Sequence, residues 1–395
     1  MSAPPVDEPQ PGSQPPAEGE LLVVAGEASG DLHGARLLTE LRDLVPNLRA
    51  FGLGGNELRD AGLDLIARSS EISVVGITEA MRILPRARDI YHRLLAEVDR
   101  RGARAAVLID FPDFNLRLAR ALKARGVKVI YYISPQIWAW RRGRVKTIAR
   151  LVDRMLVILP FEVDFYRQHG VEAIHVGHPL VDEVPNLPQR WESQKSPGEP
   201  FQVALLPGSR TSEIESNLPV MLDAAQSLGE MESIRLRLVR AATVTNAELR
   251  EQLEGRELEV EIVSEDRFGV LADSHLAICA SGTATLEVGL LGTPMIVVYR
   301  VRPWTYFLGR LLVRLPHIAL VNLVLGQSVV PELIQHEATR DRIARLGSEI
   351  LQDRDRIREM RSHLGDLRDR LGHAGASRRA AVQVMEELVA LTPQS

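Results

Sequence analysis

One strand-turn-helix segment, His275–Pro294, combines small polar residues with a position where an anion can bind. A buried-looking strand ends in the turn Ser281-Gly282-Thr283, and a helical pattern follows at once. The amide groups and the positive dipole end of a helix N-terminus attract a diphosphate, and two hydroxyls lie beside them. Glu287 lies one turn into the helix, within reach of a ribose. Ordinary N-capping by Ser or Thr and a surface acid are the alternatives for these residues.

A second segment, Leu205–Glu215, has the same order of strand, turn and helix. Gly208 allows a sharp turn, and Arg210 follows at the carboxyl end of the strand. Ligands of open α/β sheets bind at that edge, and a guanidinium there can neutralise a leaving diphosphate with two parallel hydrogen bonds. A structural ion pair is the alternative.

A candidate general base follows another apolar run, Ala105–Asp110. Asp110 ends the run and Asp113 comes after Pro112. A carboxylate at the end of a buried strand faces a cleft, and desolvation raises its pKa into the range of a general base. We therefore favour Asp110 for chemistry and a turn or capping role for Asp113.

A Gly-rich turn follows the first apolar run, in the segment Val24–Gly34. It lacks the spacing of G-x-G-x-x-G, and the chain has no G-x-x-x-x-G-K-[ST]. Ser29 and Asp31 are candidate caps of the following helix, whereas Glu27 is less easily explained in that way. A dinucleotide fold fingerprint and a P-loop are therefore not indicated.

Aromatic and basic residues are concentrated in Ser134–Arg144, which contains Trp138 and Trp140 beside three arginines. Tryptophan can stack on a sugar, and arginine can bind anionic head groups. We expect one of the two tryptophans to lie in the core.

Short apolar runs alternate with helical patterns along most of the chain, which predicts parallel sheets built from βαβ units. A segment with four prolines, residues 182–200, separates two such series. We predict an α/β protein of two Rossmann-like domains facing a cleft, followed by charged helices with interleaved signs. The predicted boundaries are 20–181 for the first domain, 182–200 for the linker, 201–338 for the second domain and 339–395 for the helices.

Composition excludes several classes of protein. The net charge of −4 and the pI near 6.2 argue against a nucleic-acid partner. A single cysteine, Cys279, excludes a disulfide framework and a Cys-based zinc site. Residues 1–19 are rich in Pro, Gly, Ser and acid, which is typical of a disordered tail and not of a secretory signal. No apolar stretch is long enough to span a membrane.

Taken together, these segments resemble the lipid-A-disaccharide synthase family from about Leu21 to beyond Glu332. Each motif is short, but their order and spacing are specific. The motifs that carry the resemblance are VAGEASGD (24–31), DFPDFN (110–115), SPQIWAWR (134–141), LPFE (159–162), VGHPL (176–180), LLPGSR (205–210), ASGTATLE (280–287) and YRVRPWT (299–305).

The resemblance implies a GT-B fold and an inverting transfer of 2,3-diacylglucosamine from UDP to 2,3-diacylglucosamine 1-phosphate. The products would be the β-1,6 disaccharide 1-phosphate and UDP, with no cofactor and no metal. Asp110 matches the supposed catalytic base of the family's D-A-P-D-F-N motif, although Phe111 replaces a small residue there. Arg210 matches a diphosphate-side arginine.

Further site residues follow from the same resemblance. The family's UDP-binding segment corresponds to the turn Ser281, Gly282, Thr283 and Glu287, and its nucleotide-side loop contains Asn322 and Gln327. We count Glu27 and Ser29 of the VAGEASGD motif as substrate-binding candidates.

Acylated substrates imply a membrane surface as a partner. The segment Val74–Leu84, followed by Arg86, Arg88 and Arg93, suits docking on anionic lipid. The resemblance implies a cytoplasmic protein that is peripheral on the inner face of the inner membrane, and it allows a homodimer. From the residues alone, a core helix with a solvated face is the preferred explanation of this segment.

Four other functions compete with this prediction. A UDP-N-acetylglucosamine 2-epimerase and the peptidoglycan transferase that uses a UDP-sugar share the fold, but the DFPDFN and SPQIWAWR motifs argue against both. A non-catalytic nucleotide-binding module would keep the Ser281 turn without needing Asp110. An NAD-linked oxidoreductase would need the missing glycine spacing.

Overall fold

The computed structural model describes residues 20–72, 77–140, 142–187, 198–301 and 316–391, with 77–83, 140 and 142 as backbone only. The predicted tail, most of the predicted linker, most of the Val74–Leu84 segment and part of the YRVRPWT motif lie outside the described side chains.

The first half of the chain forms a seven-stranded parallel sheet in the order β3-β2-β1-β4-β5-β6-β7. Its strands are β1 (Glu20–Ala25), β2 (Arg49–Gly54), β3 (Asp64–Arg68), β4 (Ala105–Ile109), β5 (Lys128–Tyr132), β6 (Arg154–Val157) and β7 (Ala173–His175). The connecting helices are α1 (Ala28–Leu44), α2 (Asn56–Asp60), α3 (Ile77–Arg101), α4 (Pro112–Ala124), α5 (Ile137–Trp140), α6 (Val145–Leu151), α7 (Pro160–Arg167) and α8 (Leu180–Glu183).

The second half forms a six-stranded parallel sheet in the order β10-β9-β8-β11-β12-β13. Its strands are β8 (Phe201–Leu206), β9 (Ile234–Val239), β10 (Val260–Val263), β11 (Leu276–Ala280), β12 (Met295–Tyr299) and β13 (Glu332–Ile334). The helices are α9 (Thr211–Met231), α10 (Asn246–Leu253), α11 (Arg267–Ala272), α12 (Ala284–Leu290) and α13 (Leu320–Leu325).

Helices cover both faces of each sheet, so the central strands are apolar along their whole length. Strands β4 and β11 are fully buried. In both sheets the first strand of the unit lies in the middle and the strand order reverses beside it, which places a ligand crevice at the carboxyl ends. The prediction of two Rossmann-like parallel-sheet domains is confirmed.

The sequence pattern missed the edge strands β3, β7 and β13 and the interior strand β2. In β2 the glycines obscured the pattern, but Gly52 is required there. It adopts φ +151°, and an added Cβ would lie 1.9 Å from the Val23 carbonyl oxygen. The strand therefore needs a glycine at its closest approach to β1.

Four helices follow the second sheet: α14 (Arg340–Gln352), α15 (Arg354–Gly365), α16 (Leu367–Leu371) and α17 (Ala376–Ala390). The first of them packs against α9, whereas α17 returns to the first domain and packs against α1. Ala380, Ala381 and Val384 are fully buried in the core of the first domain. The interleaved charges predicted solvated helices; α17 instead has one face buried on the opposite half of the molecule.

Candidate active site

Asp110 lies immediately after β4 with an unusual backbone. Asp110 (φ +42°) and Phe111 (φ +47°) both adopt the left-handed conformation. Each such non-glycine residue costs on the order of 1–3 kcal/mol, and such strain is found at functional sites. The Asp110 amide donates to the Tyr132 carbonyl oxygen at 3.1 Å, which ties the turn to β5.

The Asp110 carboxyl group is largely buried, and charged groups of both domains affect its pKa. Burial and then the nearby Glu27 carboxylate raise the pKa of Asp110 to about 6. The Phe111 amide and the Arg210 guanidinium act in the opposite direction. The Coulomb interaction with Arg210 means that the carboxyl ends of the two sheets lie close enough to influence each other.

Phe111, the departure from the family motif, packs directly over Gly26. A Cβ added to Gly26 would lie 2.2–2.6 Å from three carbon atoms of the Phe111 ring. The ring also packs against Phe114, with the centroids 5.8 Å apart. The aromatic side chain therefore fills space that only a glycine at position 26 leaves free.

Asp113 lies in the first turn of α4 and is exposed. Its Oδ1 accepts a hydrogen bond from Arg144 Nη2 at 2.5 Å. An acid in the first turn complements the helix dipole. This position fits the structural role that the sequence favours for Asp113.

Glu27, Ser29 and Asp31 of the VAGEASGD turn do not share one environment. Glu27 is the N-cap residue of α1 and is exposed, as is Ser29 in the first turn. Neither Ser29 nor Asp31 caps α1, because the α1 N-terminus has no side-chain cap. Asp31 is buried and its carboxylate accepts from the amides of Gly55, Glu57 and Leu58. It caps α2 instead, so the prediction of an α1 cap is wrong.

Arg210 is the N-cap residue of α9, and its side chain is 76% exposed. Its Nη1 lies 3.4 Å from Glu213 Oε1, and the other oxygen of Glu213 accepts from the Ser209 amide at 2.9 Å. Gly208 adopts φ +124°, as the sharp turn requires. The guanidinium is thus held by a weak local ion pair that an anionic ligand can displace.

The Ser281 turn follows β11 as predicted. Ser281 Oγ donates to the Ile318 carbonyl oxygen at 3.1 Å, and Thr285 Oγ1 donates to the Gly282 carbonyl oxygen at 2.8 Å. A Cβ added to Gly282 would meet nothing within 4 Å. Thr283 is exposed at the N-terminus of α12. The turn is anchored from behind and open in front.

Glu287 is mostly buried one turn into α12. Burial raises its pKa, the Arg267 guanidinium lowers it, and the Glu183 carboxylate raises it further. Arg267 Nη2 lies 3.4 Å from Glu287 Oε1. This environment differs from that of a free surface acid.

Asn322 is fully buried and all of its amide groups are used within the protein. Its Nδ2 donates to the Val330 carbonyl oxygen at 2.8 Å and to Glu332 Oε1 at 2.7 Å. Its Oδ1 accepts from the amides of Val329 and Val330. Glu332 Oε2 in turn accepts from the Ile318 amide at 2.8 Å. Asn322 therefore supports the turn behind Ser281.

Gln327 lies beside this network but is exposed. Its backbone amide donates to the Asn322 carbonyl oxygen at 3.3 Å. Of the two candidates in this loop, Asn322 is therefore buried and supports the turn, whereas Gln327 is exposed.

Sequence reasoning missed a buried acid in the LPFE motif. Glu162 is fully buried, accepts from Trp138 Nε1 at 3.0 Å and accepts from the Leu159 amide at 3.1 Å. Burial raises its pKa to about 7, while these hydrogen bonds and one from Ser134 lower it. Trp138 lies in the core, as expected for one of the two tryptophans. An acid five residues after the end of β6, in a motif of the same resemblance as the tryptophan segment, was the available signal.

Two wider properties concern the described part of the chain only. There, no group of three or more His, Cys, Asp or Glu side chains is arranged to hold a metal ion. In the same residues, no helix has the length and apolar character needed to cross a membrane.

Comparison with known proteins identifies the sequence relatives of this chain. The family model described as lipid-A-disaccharide synthetase matches residues 21–387. The lipid-A-disaccharide synthase of Myxococcus xanthus is 45% identical over 372 residues, covering 93% of this chain and 97% of that protein. The synthase of Geobacter sulfurreducens is 44% identical over 372 residues, with the same coverage of both chains.

Solved structures with similar folds are much more distant in sequence. MnaA of S. aureus in complex with UDP has a TM-score of 0.62 at 11% identity, covering 95% of this chain and 99% of that one. MurG of Acinetobacter baumannii has a TM-score of 0.57 at 11% identity, covering 94% and 100%. At this identity the likeness shows the fold alone, which is that of GT-B glycosyltransferases.

Proposed function

Because the chain belongs to the lipid-A-disaccharide synthase family, it is a glycosyltransferase of lipid A biosynthesis, and we propose that its chemistry takes place between Asp110 and Arg210. The donor is UDP-2,3-diacylglucosamine and the acceptor is 2,3-diacylglucosamine 1-phosphate. The observation that carries this assignment is geometric: a left-handed turn after β4 presents the largely buried Asp110 carboxyl at the carboxyl edge of the first sheet, and Arg210 starts the helix after β8 at the same edge of the second. The Arg210 guanidinium lowers the pKa of Asp110, which burial and Glu27 raise.

The proposed step is a single displacement with inversion. The acceptor 6-hydroxyl oxygen attacks the anomeric carbon, and the bond from that carbon to the diphosphate oxygen breaks. Asp110 takes the hydroxyl proton, and UDP leaves with its new negative charge facing Arg210. A base with a pKa near the working pH is suited to this proton transfer.

The second domain, residues 201–338, would hold the donor. Gly282 and Thr283 offer backbone amides to the diphosphate, and Ser281 and Thr283 add hydroxyl groups, while the Ser281 amide anchors the turn through the Val298 carbonyl oxygen. Arg210 adds positive charge without a metal. Glu287 is placed to accept from ribose hydroxyls. Gln327 is assigned to the nucleotide, whereas Asn322 is assigned to support of the turn because its amide is fully engaged.

The first domain, residues 20–181, would hold the acceptor near Glu27 and Ser29, which are exposed at the start of α1. We also propose that this domain touches the inner face of the inner membrane as a peripheral protein. Leu84 is 58% exposed, and the exposed Arg86 follows within one turn of α3. Apolar and cationic groups together favour an anionic lipid surface.

The test measures UDP release from the donor with and without the acceptor, for the wild type and Asp110→Asn. Asparagine keeps the shape of the side chain and tolerates the left-handed backbone, but it cannot accept the proton. We expect a loss of turnover of about 10²–10⁴ with unchanged donor affinity. Asp113→Asn is the matched control and should keep most of its turnover. If the two results were exchanged, Asp113 would be the base; if both variants stayed active, Glu27 would be tested next.

A further inference from the structure

The strained turn at Asp110 is held by two buried side chains that the proposed mechanism does not use. The Asp110 carbonyl oxygen accepts from Tyr131 Oη at 2.5 Å and from Asn115 Nδ2 at 2.7 Å. Both side chains are fully buried. Since the Asp110 amide is bound to Tyr132 as well, both backbone polar groups of Asp110 are tied down.

The orientation of the Asn115 amide is fixed by its surroundings. Its Nδ2 also donates to the Ile109 carbonyl oxygen at 3.2 Å, so it faces two successive carbonyl groups. A flipped amide would direct its oxygen at both carbonyls and lose both bonds. Asn115 is therefore specified as a donor at this place.

Tyr131 is likewise specified as a donor. Burial, and then the Coulomb effect of Asp110, hold the pKa of Tyr131 well above its usual value. The hydroxyl group keeps its proton over the whole working range of pH. It can therefore hold the Asp110 carbonyl whether the Asp110 carboxyl is charged or neutral.

The left-handed conformation at Asp110 and Phe111 has a geometric consequence. A chain that continued β4 would place successive side chains on alternate faces of the sheet, against the helices. The left-handed turn instead directs the chain into α4, with the Asp110 carboxyl at the carboxyl edge of the sheet. Fixing the Asp110 carbonyl fixes the peptide plane next to the reacting group.

We propose that Tyr131 and Asn115 are positioning residues, which hold the Asp110 backbone in its left-handed conformation and so place the carboxylate for proton transfer. This inference rests on the proposed function, in which Asp110 is the base. It assigns two residues that touch neither substrate, and that act only through Asp110.

The neighbouring tyrosine provides a matched control. Tyr132 is also fully buried in β5, but it lies in a different core cluster, on the face of the sheet covered by α1 and α17. Tyr131→Phe and Tyr132→Phe each remove one buried hydroxyl oxygen from adjacent positions of one strand. Only the first removes a bond to Asp110.

The experiment measures kcat, donor KM and thermal stability for Tyr131→Phe, Tyr132→Phe and Asn115→Leu. We expect Tyr131→Phe to lower kcat about 10–100-fold, because a small misplacement of a catalytic group has effects of that size. Donor KM should change less than about twofold, since the donor binds on the other domain. Tyr132→Phe should alter kcat less than about twofold. Equal kcat values for the two tyrosine variants would overturn the inference.

A second measurement separates positioning from general damage to the fold. In an Asp110→Asn background, Tyr131→Phe should reduce the residual turnover no further, because its effect passes through the Asp110 carboxylate. A similar reduction in both backgrounds would overturn the positioning role. Asp110→Asn alone reports on the proposed function: if it kept wild-type turnover, the assignment of the base would fail first. Loss of turnover in Asp110→Asn with none in Tyr131→Phe would instead reject only this inference.

Discussion

The carboxyl ends of the two sheets are built in opposite ways. In the first domain the turn after β4 has consecutive left-handed residues, a largely buried carboxyl and a carbonyl bound by two buried donors. In the second domain Arg210 is 76% exposed with a weak ion pair, and the space in front of Gly282 is open. One edge is rigid and closed, whereas the other is open and polar.

This difference corresponds to the two tasks of a glycosyl transfer. A general base must hold one oxygen atom within hydrogen-bond distance of one hydroxyl group, which requires a fixed position. A diphosphate is large, charged and must leave after each turnover, so the groups that bind it need access to solvent. Strain at β4 and exposure after β8 and β11 are therefore complementary features of one cleft.

After Asp110→Asn, the largest effect is expected at the open edge, from Arg210→Ala. Charge on the leaving UDP grows in the transition state, so the variant should lose about 10²–10³ in kcat, and lose less in donor affinity. Steady-state kinetics and direct donor binding measure the two effects separately. Arg256→Ala is the control, because Arg256 lies in the same domain and pairs with Asp223. A change confined to KM would make Arg210 a ground-state binding residue.

A substitution at Gly26 should disturb the packing of the closed edge. Gly26→Ala places a methyl group where the Phe111 ring lies, so we expect a stability loss of about 1–3 kcal/mol from overpacking, together with reduced turnover. Adding Phe111→Ala should restore part of both quantities, because the ring is then absent. Thermal unfolding and turnover of the single and double variants form the measurement.

Gly30→Ala is the control for this substitution. Its added Cβ would meet its nearest neighbour at 3.5 Å, which is an ordinary contact. A double variant no better than Gly26→Ala alone would show that the contact with Phe111 is unimportant.

The burial of the Asp110 carboxyl also predicts a dependence of stability on pH. Folding raises the pKa of Asp110 from the ordinary 3.8 to about 6, so the folded state favours the protonated acid. This contribution is fully present below pH 3.8 and is lost as the pH rises through 6. Asp110→Asn should therefore be more stable than the wild type by about 1–3 kcal/mol at pH 7.5, and by about half as much at pH 5.

Urea unfolding at the two pH values tests this expectation, with Asp113→Asn as the exposed counterpart. A gain of stability that is equal at both pH values would mean that ionisation of Asp110 is not its source.

The smallest expected effect is that of chelation. Arg210 and the turn at Ser281 supply the positive field at the open edge, and no D-x-D sequence follows a strand there. We expect turnover to survive EDTA unchanged within about twofold. Loss of turnover on chelation, restored by Mg²⁺ or Mn²⁺, would contradict the role given to these residues.

The sequence predicted those features that depend on a single strand and on the residues directly after it. The apolar run before the Ser281 turn predicted strand β11, which ends at Ala280, because a strand buried on both faces shows a continuous pattern. Asp110 and Arg210 are predicted site residues because of their position after such runs, and their roles stay a prediction. Strands β2, β3, β7 and β13 were not predicted, since three to six residues with glycine or charge show no clear period.

Contacts between separate segments could not be predicted in the same way. The bond from Tyr131 to the Asp110 carbonyl depends on the register of two neighbouring strands. The full engagement of Asn322 depends on Glu332, ten residues away and in another element. A residue's type shows which bonds it can make, but only the fold shows which bonds are already made.

The return of α17 to the first domain has a consequence for the order of events during synthesis. The core of the first domain includes Ala380, Ala381 and Val384, and Glu387 Oε1 accepts from Arg154 Nε at 2.6 Å. A ribosome adds about 5–20 residues per second, so the roughly 200 residues between α8 and α17 take about 10–40 seconds to make. Through that interval α1 already covers this face of the first sheet, but the part of the cover that α17 supplies is missing. The half that is made first is thus the half that is finished last.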